Sequence, residues 1–310
     1  LMGTGPWLPL GGAAKSAVKL ETARTIKVDL ASTSAVNFDG TANVTPGVTG
    51  ALPVARGGTG ATTAAAALSN LGGISIASNA GAHNSIFRGK YLGTSVTAAQ
   101  YAAIKAGTFD NLFIGDYWTI NGVNWRIAAF DYYLGTGSTA LATHHAVIVP
   151  DTGLDSQKMN DSNVTTGGYV GSKMYTTNLA TARSKVNSAF SGHVLKHDFY
   201  LSNTVASGKV TGSAYVQQDV VLMNERNVYG QSIMSSECND GSAGPSWYTY
   251  DRTQFPLFLL ASEFIQKERS YYWLRDVVSA SYFAIVYTDG TAYWNYAYNP
   301  YRVRPAFSIS

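Results

Sequence analysis

The uneven distribution of aromatic residues is the sequence feature that most constrains how this chain can fold. The 310 residues include 6 Trp, 20 Tyr and 12 Phe, yet residues 1–80 contain only Trp7 and Phe38. A segment with so few large side chains cannot bury enough apolar surface to offset the entropy lost on ordering. We therefore predict that residues 1–75 gain structure by packing against other chains, and that residues 76–310 form the globular part.

The patterning of the first segment indicates strands rather than disorder. Residues 25–30 alternate apolar and polar side chains, as a half-buried strand does. Asp39-Gly40 is a turn signal followed by a β-branched stretch. These patterns favour an intertwined β-rich shaft, in which several chains share one thin core, over a low-complexity linker.

The globular part carries signals for both helices and strands. Thr97-Ala98-Ala99-Gln100 has the pattern of a capping box at the start of a helix. Asn121-Gly122 predicts a tight turn between two strands, and the apolar spacing over residues 172–189 predicts a second helix. Residues 271–309 are typical of a run of strands, with a hairpin signal at Asp289-Gly290. The prediction is an α+β domain with helices beside antiparallel sheet.

Charge and cysteine content exclude several classes of function. The formal net charge is +3 and only 13% of residues are charged, so we expect no nucleic-acid partner, which would require a clustered basic face. No run of 18 apolar residues is present, so we expect no membrane insertion. A single cysteine, Cys238, leaves no internal disulfide and no cysteine-based zinc site.

No catalytic constellation is evident in the sequence. His193 and His197 have the spacing of a helical metal pair, but Gly192 is expected to end the helix before them. Asn239-Asp240-Gly241 is compatible with calcium, although turns of this kind more often hold no ion. We therefore predict no catalytic residue, no metal site and no cofactor.

The tyrosines near the C-terminal end are the most informative residues. Eight of the 20 tyrosines lie between Tyr271 and Tyr301, where they alternate with small residues. Alternation on strands directs one set of side chains inward and the other outward. Exposed Tyr and Trp mixed with Ser, Asn and Gly is typical of a binding face. The alternative is that these rings pack the domain core or an interface between copies of the chain.

Two resemblances give these patterns a context. Residues 20–26, residues 37–45, and the glycine-rich stretch 52–63 with the Ala-rich piece that follows it resemble, in this order, the repeats of bacteriophage tail fibres. That resemblance implies a homotrimer. Tyr272-Trp273-Leu274-Arg275-Asp276-Val277 and Val303-Arg304-Pro305-Ala306-Phe307-Ser308-Ile309 resemble the fixed frame of a family of phage receptor-binding proteins.

The second resemblance covers about residues 80–310 and implies a C-type-lectin-like receptor-binding head over residues 76–310. Many members of that family are targets of diversity-generating retroelements, which mutate template adenines, so a variable face is implied at residues 280–302. In such targets, changes at adenines turn Asn codons into codons for Tyr, Asp, Ser, Ile or Thr. Trp294 departs from this pattern, because adenine changes in an Asn codon do not readily give Trp. The implied receptor-binding positions are Tyr282, Ile285, Tyr287, Thr288, Asp289, Thr291, Tyr293, Trp294, Tyr296, Tyr298, Tyr301 and Arg302.

The expected function is therefore that of a phage tail fibre tip within the virion. The resemblances imply a homotrimer attached to other tail or baseplate proteins, and a bacterial surface receptor that is either a protein or a glycan. Two alternatives remain open at this point. One is a tailspike that degrades surface polysaccharide, and the other is a purely structural tail subunit.

Overall fold

A computed structural model describes residues 22–26, 36–44, 51–73, 76–235 and 253–310. The chain divides into two units, Leu1–Ile76 and Ala77–Ser310, and each is treated by itself. At the coarse level the protein is mixed α+β and rich in sheet, as the sequence predicts. Within the described ranges, no helix is long and apolar enough to cross a membrane.

The described residues of the first unit form short elements with little shielding from solvent. Strands β1 (Arg24–Ile26) and β2 (Val36–Phe38) pair antiparallel. A single 3₁₀ turn precedes helix α1 (Ala64–Asn70), whose N-cap Thr63 accepts a hydrogen bond from the backbone N–H of Ala66. No residue of this unit whose burial is described is buried. Most of the strand predicted over residues 25–30 and the Thr45 end of the β-branched stretch lie outside the described residues.

The second unit contains a six-stranded antiparallel sheet. Its order is β10-β15-β5-β4-β3, with β7 pairing β15 from outside this path. The predicted turn between β3 and β4 is confirmed, because Asn121 and Gly122 both have the positive φ angles of a two-residue hairpin loop. The strands are β3 (Tyr117–Ile120), β4 (Val123–Phe130), β5 (Ala146–Pro150), β7 (Val194–Leu195), β10 (Val220–Leu222) and β15 (Pro305–Ile309).

A five-stranded sheet carries most of the predicted binding positions. Its order is β13-β12-β11-β14-β6, and only the β11–β14 pair is parallel. The strands are β6 (Ser156–Lys158), β11 (Tyr272–Val277), β12 (Tyr282–Val286), β13 (Ala292–Tyr296) and β14 (Pro300–Arg302). A separate hairpin pairs β8 (His197–Ala206) with β9 (Lys209–Gln218).

The helices of the second unit are short. The capping box at Thr97 and Gln100 is confirmed at the start of α3. The helix predicted over residues 172–189 begins later than expected, because Met174–Asn178 forms a π-helical turn before α4. Among the described residues of this unit, the helices are α2 (Ala80–His83), α3 (Ala98–Lys105), α4 (Ala180–Ala189), α5 (Glu225–Tyr229) and α6 (Pro256–Leu260), with a 3₁₀ turn at Ser262–Phe264.

One continuous apolar core lies within the second unit and includes residues of both large sheets. Trp125 packs edge-on against Phe190 and Phe307, with ring centroids 5.5 and 5.6 Å apart. Trp273 and Tyr272 are also buried, in the strand at the centre of the five-stranded sheet. The core therefore fixes the sheet whose other strands β12, β13 and β14 bear Tyr282, Tyr293, Tyr296 and Tyr301.

Candidate functional site

Eight aromatic rings on and beside the five-stranded sheet form an unbroken series of contacts, which we call the aromatic ladder. The centroids of successive rings are 5.0, 5.0, 4.8, 5.4, 5.3, 4.2 and 4.6 Å apart. These separations are those at which aromatic pairs attract one another. In order, the members are Trp273, Tyr301, Tyr271, Tyr287, Tyr293, Trp294, Tyr282 and Tyr296.

Strand register explains why these rings meet. Tyr282 on β12 is the direct partner of Tyr296 on β13, and directly opposed side chains project from the same face of a sheet. Tyr293 and Trp294 are sequence neighbours and start on opposite faces, yet their rings stack with planes 8° apart. β13 is an end strand of the sheet. The stack therefore links rings of the two faces at the edge of the sheet.

A fixed turn holds the β12–β13 hairpin. Oδ1 of Asp289 accepts hydrogen bonds from the backbone N–H and the hydroxyl of Thr291, at 2.9 and 2.7 Å. These bonds lower the pKa of the Asp289 carboxyl, the backbone bond being the larger cause. Gly290 has a φ of 93°, which an L side chain rarely adopts. The Asp-Gly hairpin signal in the sequence is thereby confirmed.

Tyr298 lies in the connection between β13 and β14, apart from the ladder. The Nζ of Lys158 is 3.5 Å from the centroid of its ring, a cation–π contact. The backbone N–H of Tyr298 donates to Oδ1 of Asn163, at 3.1 Å. The neighbouring Ala297 carbonyl accepts from the N–H of Asn160, at 2.9 Å. The loop that follows β6 therefore holds Tyr298 in place.

Most of the predicted binding positions reach the surface. Tyr293, Tyr296 and Tyr298 are 42%, 43% and 48% exposed. Asp289 and Thr291 are also exposed. The half-buried positions are Tyr282, Tyr287, Thr288, Trp294, Tyr301 and Arg302.

Ile285 is the exception among the predicted positions. Its side chain is fully buried in the core. Its cross-strand partner on β11, Trp273, is also buried, whereas its partner on β13, Tyr293, is exposed. Residues 283–286 are all buried, so both faces of the sheet are covered along most of β12. The prediction that Ile285 belongs to an exposed face is wrong, because simple alternation does not account for this coverage.

The structure adds residues that the predicted set omitted. Tyr271 connects Tyr301 to Tyr287 within the ladder, and Lys158 contacts Tyr298. A cleft of about 310 Å³ opens beside the ladder, lined by Ser156, Arg269, Ser270, Tyr271, Thr288, Pro300, Tyr301 and Arg302. Tyr271 was visible in the sequence as the first member of the tyrosine cluster. No local pattern marks Lys158 or Arg269.

Hydrogen bonding among the tyrosines favours their neutral form. The hydrogen bond with the Tyr287 side chain raises the pKa of Tyr271, and the bond with Tyr296 raises the pKa of Tyr282 in the same way. A neutral phenol both donates and accepts hydrogen bonds. The face therefore offers ring surfaces together with polar hydroxyl groups.

Two buried arginines donate hydrogen bonds to backbone carbonyls. Arg304 donates hydrogen bonds to the carbonyls of Pro150, Phe264 and Ile265. Arg275 donates to the carbonyl of Leu222 at 2.8 Å. Both side chains are almost fully buried, so these two guanidinium groups join backbone segments within the core.

His193 and His197 do not form a shared site. His193 stacks on Tyr101 with centroids 3.4 Å apart, whereas Nε2 of His197 lies 3.2 Å from Oγ of Ser308. Within the described part of the chain, no three His, Cys, Asp or Glu side chains are grouped so that they could hold a metal ion. Cys238 and the calcium alternative at Asn239-Asp240-Gly241 lie outside the described residues.

Comparison with known proteins gives one match. Residues 170–310 are similar to a family described only as a domain of unknown function, DUF6273. The matched region includes the β12–β13 hairpin, β14 and all of the predicted binding positions. No curated protein and no solved structure is similar enough to this chain to count as a match.

Proposed function

We propose that this protein is the receptor-binding tip of a phage tail fibre, which attaches the virion to a bacterial host through the aromatic ladder and Tyr298. The observation that carries the proposal is the exposure of Tyr293 and Tyr296 on the β12–β13 hairpin and of Tyr298 in the connection that follows it. Large amphipathic rings on a rigid support give much contact area at little entropic cost.

The finer parts of the proposal rest on the resemblances. We propose a C-type-lectin-like head, a homotrimer attached to other tail proteins, and retroelement-driven variation within residues 280–302. The first unit is consistent with assembly, because its described side chains are not buried within one chain. Three copies of a weak site on one shaft raise the overall affinity by orders of magnitude.

The test is adsorption of the purified protein to a panel of bacterial cells. The variant carries Tyr293→Ala, Tyr296→Ala and Tyr298→Ala. The matched control carries Tyr91→Ala, Leu134→Ala and Leu259→Ala, which removes three exposed side chains that are not among the predicted positions. Melting temperature and oligomeric state are measured for both.

We expect the tyrosine variant to lose adsorption while its melting and assembly remain intact, and the control to adsorb normally. Equal adsorption by both variants would contradict the proposal. Loss of folding or assembly in the tyrosine variant would instead support a purely structural subunit. Release of sugar from cell-surface polysaccharide would support a degrading tailspike.

A further inference from the structure

We propose that the cleft beside the aromatic ladder binds an anionic sugar, with Arg269 and Arg302 contacting its acidic group. This inference rests on the proposed function and names the class of receptor. The juxtaposition that carries it is two guanidinium groups and two tyrosine rings around one cavity of about 310 Å³. Cavities of this size are at the lower end of those that bind small molecules.

The described residues of the cleft lining carry positive charge and hydroxyl groups but no negative charge. Among the described residues that line the cleft there are two cations and no carboxylate, together with the hydroxyls of Ser156, Ser270 and Thr288. Tyr271 and Tyr301 also line it, with ring centroids 5.0 Å apart. A sugar presents apolar ring faces, hydroxyls and, when acidic, one anionic group, and each has a counterpart here.

Arg269 is the residue most available to a ligand. It is exposed and, within the part of the chain that the structure describes, no carboxylate lies within ion-pair distance of it. Its φ is 52°, the left-handed conformation that residues other than glycine rarely adopt. Such outliers are concentrated at functional sites, where the surrounding structure maintains them. Arg269 therefore brings to the lining of the cleft a guanidinium without an ion-pair partner among the described residues.

Arg302 is positioned by one acidic neighbour. One of its terminal nitrogens lies 3.1 Å from Oε2 of Glu268, whose Oε1 accepts the backbone N–H of Gly153. A guanidinium has five N–H donors in a fixed fork, so this single ion pair leaves others for a carboxylate or phosphate. Asp289 lines a neighbouring hollow with Arg269 and Thr288, but its Oδ1 accepts hydrogen bonds from Thr291.

The test is calorimetric titration of the full chain with D-glucuronate, D-glucose 6-phosphate and D-glucose. We expect at least one anionic sugar to bind at least about tenfold more tightly than glucose, because hydrogen bonds to charged groups are worth more than neutral ones. Tighter binding of glucuronate would indicate a carboxylated glycan, and tighter binding of glucose 6-phosphate a phosphorylated one. Equal affinities, or no binding of any sugar, would overturn the inference.

Variants connect the binding to the cleft. Arg269→Gln is expected to weaken binding of the preferred anionic sugar about tenfold or more. Arg269→Lys is expected to bind this sugar with an affinity between that of Arg269→Gln and that of the unsubstituted chain. Lys196→Gln removes one exposed positive charge outside the cleft lining and is expected to change nothing. Arg269→Gly keeps the left-handed backbone conformation without strain and separates loss of binding from loss of folding. Equal affinities of Arg269→Gln and Lys196→Gln would place the anion elsewhere.

Cell adsorption separates this inference from the function on which it rests. Adsorption that needs the exposed tyrosines but is unchanged by Arg269→Gln would overturn the anionic ligand and leave the receptor-binding face intact. Adsorption that depends neither on the exposed tyrosines nor on Arg269 would overturn the proposed function itself.

Discussion

The ammonium of Lys158 lies 3.5 Å from the centre of the Tyr298 ring, so a residue of β6 holds an exposed ring of the proposed binding face. Tyr298 is nearly half exposed and has no partner in the aromatic ladder. The contact explains how a side chain in a connection between strands keeps a defined position. It also makes Lys158 a residue that acts on the face without being part of the predicted set.

This contact predicts a measurable coupling between the two residues. In a double-mutant cycle with Lys158→Gln and Tyr298→Leu, measured by the free energy of unfolding, we expect a coupling energy of about 0.5–1 kcal/mol. This is the usual value for an exposed cation–π pair. The same cycle on Lys173→Gln and Tyr298→Leu serves as the control, because Lys173 pairs with Asp161 instead. A coupling near zero for Lys158 would mean that the contact contributes nothing in solution.

The burial of Ile285 predicts which positions can vary. Ile285→Asn is expected to cost about 3 kcal/mol or more, because it removes a buried apolar side chain and buries an amide. Tyr296→Asn, at an exposed ladder position, is expected to cost less than about 1 kcal/mol. Chemical denaturation measures both. Similar costs at the two positions would show that burial does not separate fixed from variable residues.

The ion pair between Arg126 and Asp151 is expected to be the more important of two contrasting salt bridges. It is bidentate, with both N–O distances 2.6 Å, and both side chains are largely buried. Arg126→Leu leaves a buried carboxylate unpaired and is expected to destabilise the protein by about 3–5 kcal/mol. Lys173→Gln breaks an exposed pair and should cost less than about 1 kcal/mol. Thermal melting of the two variants compares them directly.

His197 predicts a loss of stability in mild acid. Burial lowers its pKa to about 3, below the 6.5 of the unfolded chain. As the pH falls, the unfolded state therefore binds the proton first. The contribution of His197 to the free energy of unfolding is fully present above pH 6.5 and is lost as the pH falls from 6.5 towards 3. His197→Phe should flatten the dependence of melting temperature on pH in this interval. Burial also lowers the pKa of His145, so part of the slope should remain, and an unchanged slope would contradict the assignment.

The exposed leucines of the first unit predict how copies of the chain associate. Leu68 in α1 and Leu71 just after it are exposed within a single chain. If the first unit forms the proposed trimer, Leu68→Glu with Leu71→Glu should reduce the mass measured by light scattering from three copies to one. Leu259→Glu introduces one charge at an exposed position of the second unit, where we expect no effect. A trimer that persists in the double variant would place the interface elsewhere.

Local sequence signals predicted the elements that depend on interactions between residues close together in the sequence. The capping box at Thr97 and the Asn121-Gly122 turn both occur where the sequence places them, because each depends on hydrogen bonds or backbone angles within a few residues. The start of α4 was predicted too early. Its apolar spacing continues through Met174–Asn178, but periodicity cannot distinguish a π turn from an α-helix.

The sequence by itself determined that the first 80 residues cannot bury a core of their own, and that the tyrosines gather near the C-terminal end. Composition and alternation are sufficient for both. Only the tertiary structure decided that Ile285 is buried, that Lys158 holds Tyr298, and that Arg269 and Arg302 line one cleft. These relationships depend on strand order and on contacts between distant residues. Side-chain alternation along one strand carries no information about which distant parts of the chain cover its two faces.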